Sequence, residues 1–223
     1  MSKPTSADFL IEFSRGLSDV WASTSLAAKK TYSLYELFVF KLILEAAQDQ
    51  GARILYRDGY SRGYSVPDFQ TGPHQIYDRD YVYAELIFSP RSVLEVHTGA
   101  MFLGKSGIEH ECDIAVLRRG TARKCRRHKC KPHHKDILIS VECKFYLAKI
   151  GLDLSREFMG LTADLTAPRK QNFFVVSTSI VDNGRTLLEH HHRKAADELV
   201  PSASTKREDL TTAFEDVFEH FSR

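Results

Sequence analysis

The sequence predicts an α/β fold, a central mixed β-sheet flanked by helices with extra helices at both ends, and three observations carry that expectation. Runs of strand length rich in Val, Ile, Phe and Tyr cluster between residues 81 and 145. Apolar residues at helical spacing form stripes on either side of that cluster. One more strand-like run, 172–179, lies beyond a helical stripe, so the order is helix, several strands, helix, strand, helices.

The elements follow in chain order. Phe9, Leu10, Phe13, Leu17, Val20 and Trp21 mark one face of a helix over 6–21. A second helix is expected from Ser33 to near Gly51. Ser33 and Glu36 have the spacing of a capping box there, and its residues are apolar almost all round, which requires burial on more than one side. Residues 52–80 mix Gly, Tyr, Asp and Pro and read as loops with one short strand. Strands are expected at 81–88, 92–103 and 110–118, and the strongest at 136–145 (DILISVECKF). Leu154, Phe158, Leu161 and Leu165 define a helix with Asp153 as its N-cap. A helix over 185–199 carries His190, His191 and His192 on a solvated face, 201–206 is a polar hinge, and Leu210, Phe214, Val217, Phe218 and Phe221 form a terminal helical stripe.

At 223 residues, with 43% hydrophobic and 27% charged, the chain can bury a sizeable core, and one domain over 1–223 is expected. Its 14 Phe and 9 Tyr exclude intrinsic disorder. The longest apolar stretch, 37–47, is interrupted by Lys41 and Glu45 and falls short of the roughly 20 residues a membrane helix needs. No apolar signal region follows Met1, so a cytoplasmic protein with four reduced cysteines is expected.

The formal charge of +2 conceals an asymmetry. Residues 118–135 hold nine of the 31 Lys and Arg, three His and no acid, leaving 22 basic against 29 acidic residues elsewhere. A compact cationic run in an acidic chain points to a polyanion, because clustered Lys and Arg displace counterions from phosphates. The expected phosphate contacts are Arg118, Arg119, Arg123, Lys124, Arg126, Arg127, Lys129 and Lys131 on a loop, with a polyanion as the partner.

Two strands carry the chemistry. Side chains alternate along a strand, so Glu111 and Asp113 share one face of 110–118, while Ser140, Glu142 and Lys144 share one face of 136–145. Ile137, Ile139, Val141, Cys143 and Phe145 then form an unbroken apolar set on the opposite face. If the two runs pair antiparallel, Asp113, Glu142 and Lys144 converge. Two close carboxylates call for a hard divalent cation such as Mg²⁺, for which Mn²⁺ substitutes. The ammonium of Lys144 would orient the attacking water, help deprotonate it, or neutralise charge in a phosphoryl transition state.

Asp113 followed by a strand carrying Glu142-Cys143-Lys144 resembles the PD-(D/E)XK nuclease superfamily, the restriction-endonuclease-like fold. That core runs helix, three strands, helix, strand, and residues 33–180 follow the same order. Residues 1–32 and 185–223 are then N- and C-terminal helical extensions. The resemblance implies a metal-dependent endonuclease that hydrolyses DNA phosphodiester bonds in restriction, defence or repair, often as a homodimer. It implies Asp113, Glu142 and the backbone carbonyl of Cys143 as metal ligands, and Lys144 as the catalytic lysine. Glu36 matches the glutamate that many members place on the first helix, although a helix cap explains it equally well. Cys112 stands where the motif has proline. Glu111 could serve a second metal, or simply be exposed. The alternative is a non-catalytic nucleic-acid- or partner-binding module on the same fold.

Glu95 and His97 alternate on the preceding strand and could line the same site, or be exposed strand residues. Cys125, His128, Cys130 and His133 have zinc-ligand side chains, but Lys129 alone separates His128 from Cys130, which cramps a tetrahedral site. Cys143 faces away from the carboxylates and is not expected to act as a nucleophile.

Overall fold

The computed structural model describes residues 5–17, 30–64, 69–70, 72–78, 81–165 and 171–222. Its strands form one mixed sheet of eight: β1 (Arg53–Asp58), β2 (Gly63–Tyr64), β3 (Val82–Ser89), β4 (Ser92–Leu103), β5 (Glu109–Arg118), β6 (Ile137–Lys144), β7 (Asn172–Val176) and β8 (Lys194–Ala196). The spatial order is β2-β1-β3-β4-β5-β6-β7-β8. Pairing is antiparallel from β2 through β6 and parallel from β6 to β8. The described helices are α1 (Ser6–Leu17), α2 (Thr31–Asp49), α3 (Arg119–His128), α4 (Leu152–Asp164), α5 (Asp182–His190) and α6 (Ser204–Ser222). None is long and apolar enough to cross a membrane.

Alternation along the strands sorts the helices into two layers. Phe173 and Val175 face the main core, with Phe13 of α1, Leu34 and Phe38 of α2, and Phe214 of α6. Phe174 and Val176 face the other way, against Phe158 of α4 and Leu188 of α5. A third cluster joins Ala115 and Leu117 of β5 to Ala122 and Cys125 of α3. The sheet is therefore covered on both faces, as its parallel segment requires. The α4 crossover between β6 and β7 places α4 beside the C-terminal end of β6.

Several expectations need correction. The capping box at Ser33 is not formed, because α2 begins at Thr31 after Lys30 and Ser33 lies inside the helix, buried. Glu36 is thereby released from a capping role. Asp153 is in the first turn of α4 rather than its N-cap, which is Gly151. Residues 53–64 form two strands, not one. The segment 185–199 divides into the end of α5 and the edge strand β8, which pairs with β7. The basic run is not an open loop, since most of it is helix α3 and a short 3₁₀ turn at His134–Asp136. The first helix is described only to Leu17, so Val20 and Trp21 lie outside the described residues.

The apolar set on β6 is also interrupted. Val116 pairs with Ile139 but Leu117 pairs with Ile137, which leaves Leu138 as the extra residue of a bulge. Ile137 consequently joins the α3-side cluster, and Leu138 packs against the main core. β4 turns over as well. Leu94 and Val96 belong to the main core, whereas Ala100 and Phe102, of the same parity, belong to the α3 side. Gly99 sits between them at φ +60°, where an added Cβ would lie 2.3 Å from the Gly72 carbonyl oxygen, so only glycine fits.

Candidate active site

Asp113 stands where the β5–β6 ladder stops. The last paired residues are Ile114 and Val141, and the same register extended places Asp113 opposite Glu142. The carboxylate of Asp113 takes over from the ladder by accepting the Cys143 amide N–H at 2.7 Å on Oδ2. Two residues on, the Lys144 ammonium lies 2.6 Å from Glu142 Oε1. A cleft of about 390 Å³ opens here, lined by His110, Glu111, Asp113, Glu142 and Lys144 from the sheet and by Glu157, Phe158 and Leu161 from α4. Glu111, Asp113, Glu142 and Lys144 line one cleft, although β5 breaks its alternation here: Cys112 belongs to the α3-side cluster and Ile114, of the same parity, to the main core. The side chain of Cys143 points into the main core, as expected, where burial first and the neighbouring Asp113 second push its thiol well up.

Electrostatics set the character of this cleft. Burial and then the Glu142 charge raise Asp113 to about 8. Burial raises Glu142 too, although Lys144 opposes it. Glu36 belongs to α2, on the opposite face of the sheet, yet it feels Asp113, Glu111 and Glu142, and with burial as the largest cause it rises to about 9. Glu111 is raised by burial and by Glu142. Burial alone would lower the Lys144 ammonium, but Glu142, with Asp113 and Glu157 behind it, more than reverses that and holds it protonated. Lys144 is thus suited to fixing and stabilising negative charge, rather than to taking a proton.

Such a cluster makes folding stability fall with pH. An acid whose folded pKa is raised binds more protons folded than unfolded, so stability declines from the unfolded value near 4 up through the folded value. With Asp113 at about 8 and Glu36 at about 9, the decline spans roughly pH 4 to 9. Urea unfolding in EDTA should show it, and Asp113→Asn should flatten the curve by removing one titrating member. An identical slope in the variant would show that Asp113 is ionised throughout.

The donors suited to a divalent cation are all oxygen: the Asp113 and Glu142 carboxylates and the Cys143 carbonyl. Buried carboxyls that repel one another and share a single ammonium fit a hard cation such as Mg²⁺, which binds through one or two carboxylates and keeps several waters. Among the described residues, no three His, Cys, Asp or Glu side chains form a metal-binding group on their own. This applies equally to Cys125, His128, Cys130 and His133, which are not gathered as a zinc site.

Sequence reasoning missed two features of the cleft. Glu157 contributes a carboxylate from α4, at the margin of the Leu154–Phe158 stripe. Asp164, at the end of α4, accepts hydrogen bonds from the Ser106 amide at 2.7 Å, the Ser106 hydroxyl at 2.6 Å and His110 Nε2 at 2.6 Å. These contacts latch the β4–β5 hairpin tip onto α4 and so build one wall of the cleft. No short-range pattern marks a contact across more than fifty residues.

The basic run is divided between surface and interior. Arg118, Arg123, Lys124, Arg127 and Lys129 are exposed. Arg118 lies over the Phe221 ring, and Lys131 pairs with Glu109 at 2.6 Å. Arg119 and Arg123 each approach Glu85 at 4.0 Å. Arg126 departs from the expected phosphate contact, because its guanidinium turns inward and grips the fully buried Glu95 at 2.7 and 2.6 Å while lying over the Tyr83 ring. His97 Nε2 is 3.3 Å from the same carboxylate, and its Nδ1 meets the Tyr81 hydroxyl. Glu95 and His97 are therefore neither exposed nor part of the cleft, but anchor α3 to the sheet. No protein-family model, curated protein or solved structure matches the chain.

Proposed function

We propose that this protein is a Mg²⁺-dependent deoxyribonuclease that hydrolyses phosphodiester bonds at the cleft between β5, β6 and α4. The convergence of Asp113, Glu142 and Lys144 on neighbouring strand ends carries this reading. The order α2, antiparallel β4-β5-β6, crossover α4 and parallel β7 supports the resemblance to the restriction-endonuclease-like core, with Asp113 on the second strand of that core and Glu142-Cys143-Lys144 on the third.

Asp113, Glu142 and the Cys143 carbonyl would hold the cation, which supplies Lewis-acid stabilisation of the phosphoryl oxygens and a more acidic water nucleophile. Lys144, kept protonated by Glu142, offsets charge that builds on the phosphate in the transition state and orients the attacking water. The backbone hydrogen bond from Cys143 fixes the Asp113 carboxylate on the rigid strand pair. Glu36, which burial and the charges of Asp113, Glu111 and Glu142 push up to about 9, is the candidate for the helix glutamate that the resemblance implies, although it is not among the side chains that line the cleft. The exposed cations of α3 and the following turn are the candidate contacts to the DNA backbone beyond the cleft.

One observation favours a second reading, a non-catalytic nucleic-acid-binding module: Lys144 already neutralises Glu142 through a short ion pair. Thermal unfolding separates the two. Under the nuclease reading, Mg²⁺ or Mn²⁺ at about 100 times Kd stabilises the wild type by roughly 2.7 kcal/mol, and the gain shrinks in Asp113→Asn. A melting temperature indifferent to both cations favours the binding module.

A further inference from the structure

We propose that the cleft takes single-stranded DNA, with Tyr146 stacking on an unpaired base and Leu147 and Ile108 closing over its neighbours; this rests on the nuclease reading and names its substrate class. Three of the large hydrophobic side chains exposed among the described residues lie on two rim segments that adjoin cleft-lining residues along the chain: Tyr146 at 44%, Leu147 at 52% and Ile108 at 62%. Tyr146 and Leu147 follow Lys144 and Phe145, just past the end of β6. Ile108 is on the hairpin tip that Asp164 latches to α4, two residues before the cleft residue His110.

The backbone under Tyr146 is held while its ring is exposed. Its amide N–H donates to Ser177 Oγ at 2.9 Å, and its carbonyl accepts from the same hydroxyl at 2.8 Å. The Ser177 amide donates in turn to the Lys144 carbonyl at 3.1 Å, which ties this loop to the catalytic strand. Phe145 is anchored in the core against Phe9, Phe13 and Tyr35. An exposed ring on a fixed backbone costs little entropy when it stacks.

Each rim segment also carries an exposed lysine, Lys105 on the hairpin and Lys149 after Leu147. Aromatic and apolar groups interleaved with cations are what a single strand requires, bases on rings and phosphates on ammonium groups. In duplex DNA the base faces are already stacked and offer these side chains nothing.

Fluorescence anisotropy in EDTA, with a labelled mixed-sequence 15-mer as single strand and as duplex, tests the proposal without cleavage. The wild type should bind the single strand more tightly than the duplex. Tyr146→Ala should weaken single-strand binding by about 10- to 100-fold, leave duplex binding unchanged, and abolish the quenching of a 2-aminopurine placed in the strand. Tyr146→Phe, which keeps the ring, should restore both signals. Tighter duplex binding, or equal single-strand binding by wild type and Tyr146→Ala, would overturn the proposal while leaving the nuclease reading intact. No binding of either form by the wild type would overturn both.

Discussion

Replacing Lys144 with alanine is expected to slow metal-dependent DNA cleavage by about 10²- to 10⁴-fold, the range for losing one group that stabilises transition-state charge or orients a reactant. The ammonium is fixed 2.6 Å from Glu142, inside a cleft that also presents the carboxyls of Glu111, Asp113 and Glu157. Because Lys144 is held protonated, its contribution is a positive charge rather than a base. Lys144→Arg should therefore retain more activity than Lys144→Ala, whereas a lysine acting as a base would not be replaced by arginine at all. DNA binding measured in EDTA should survive Lys144→Ala, since the exposed cations of α3 are untouched. Parallel loss of binding and cleavage would show that Lys144 only attracts the polyanion.

The second large effect concerns stability. Arg126→Ala is expected to destabilise the fold by about 3–5 kcal/mol, because it leaves the Glu95 carboxylate buried without its guanidinium. Burial alone would raise Glu95, but its hydrogen bonds from His97 and Arg126 outweigh that and hold it ionised. Burial keeps His97 neutral despite the adjacent Glu95, so it cannot replace the lost charge. The double variant Glu95→Leu/Arg126→Met removes both charges and should recover most of the loss, as replacement of a buried ion pair by apolar groups is often close to neutral. Chemical denaturation of the two variants measures this. A cost below about 1 kcal/mol for Arg126→Ala would mean that the pair is solvated and does not anchor α3.

The parts of the fold that sequence conveyed are those governed by short-range periodicity. Alternation on β6 set Glu142 and Lys144 opposite Val141 and Cys143, and the helical stripes of α4 and α6 were visible from apolar spacing, whereas β5 switches face between Cys112 and Ile114, beside Asp113. What stayed hidden depends on partners distant in the chain. Arg126 reads as one cation among nine, and only the buried Glu95 on β4 turns it inward. Glu95 and His97 read as exposed strand residues because helix α3, assembled from a segment with almost no apolar content, covers them. The bulge at Leu138 cannot be read from alternation, since Ile137 and Leu138 are both apolar and either register buries one of them. Ser33 and Glu36 have capping-box spacing, yet the helix starts a turn earlier, and a two-residue motif is too short to fix a boundary.

On the proposed function, Asp113, Glu142 and Lys144 form a metal-dependent phosphodiesterase site. Incubating the purified protein with single-stranded and plasmid DNA in Mg²⁺, Mn²⁺ or EDTA, beside Asp113→Asn and Lys144→Ala, tests it most directly. The expected result is cleavage by the wild type with either cation, none in EDTA, and loss in both variants. Cleavage that persists in EDTA or in both variants would contradict it.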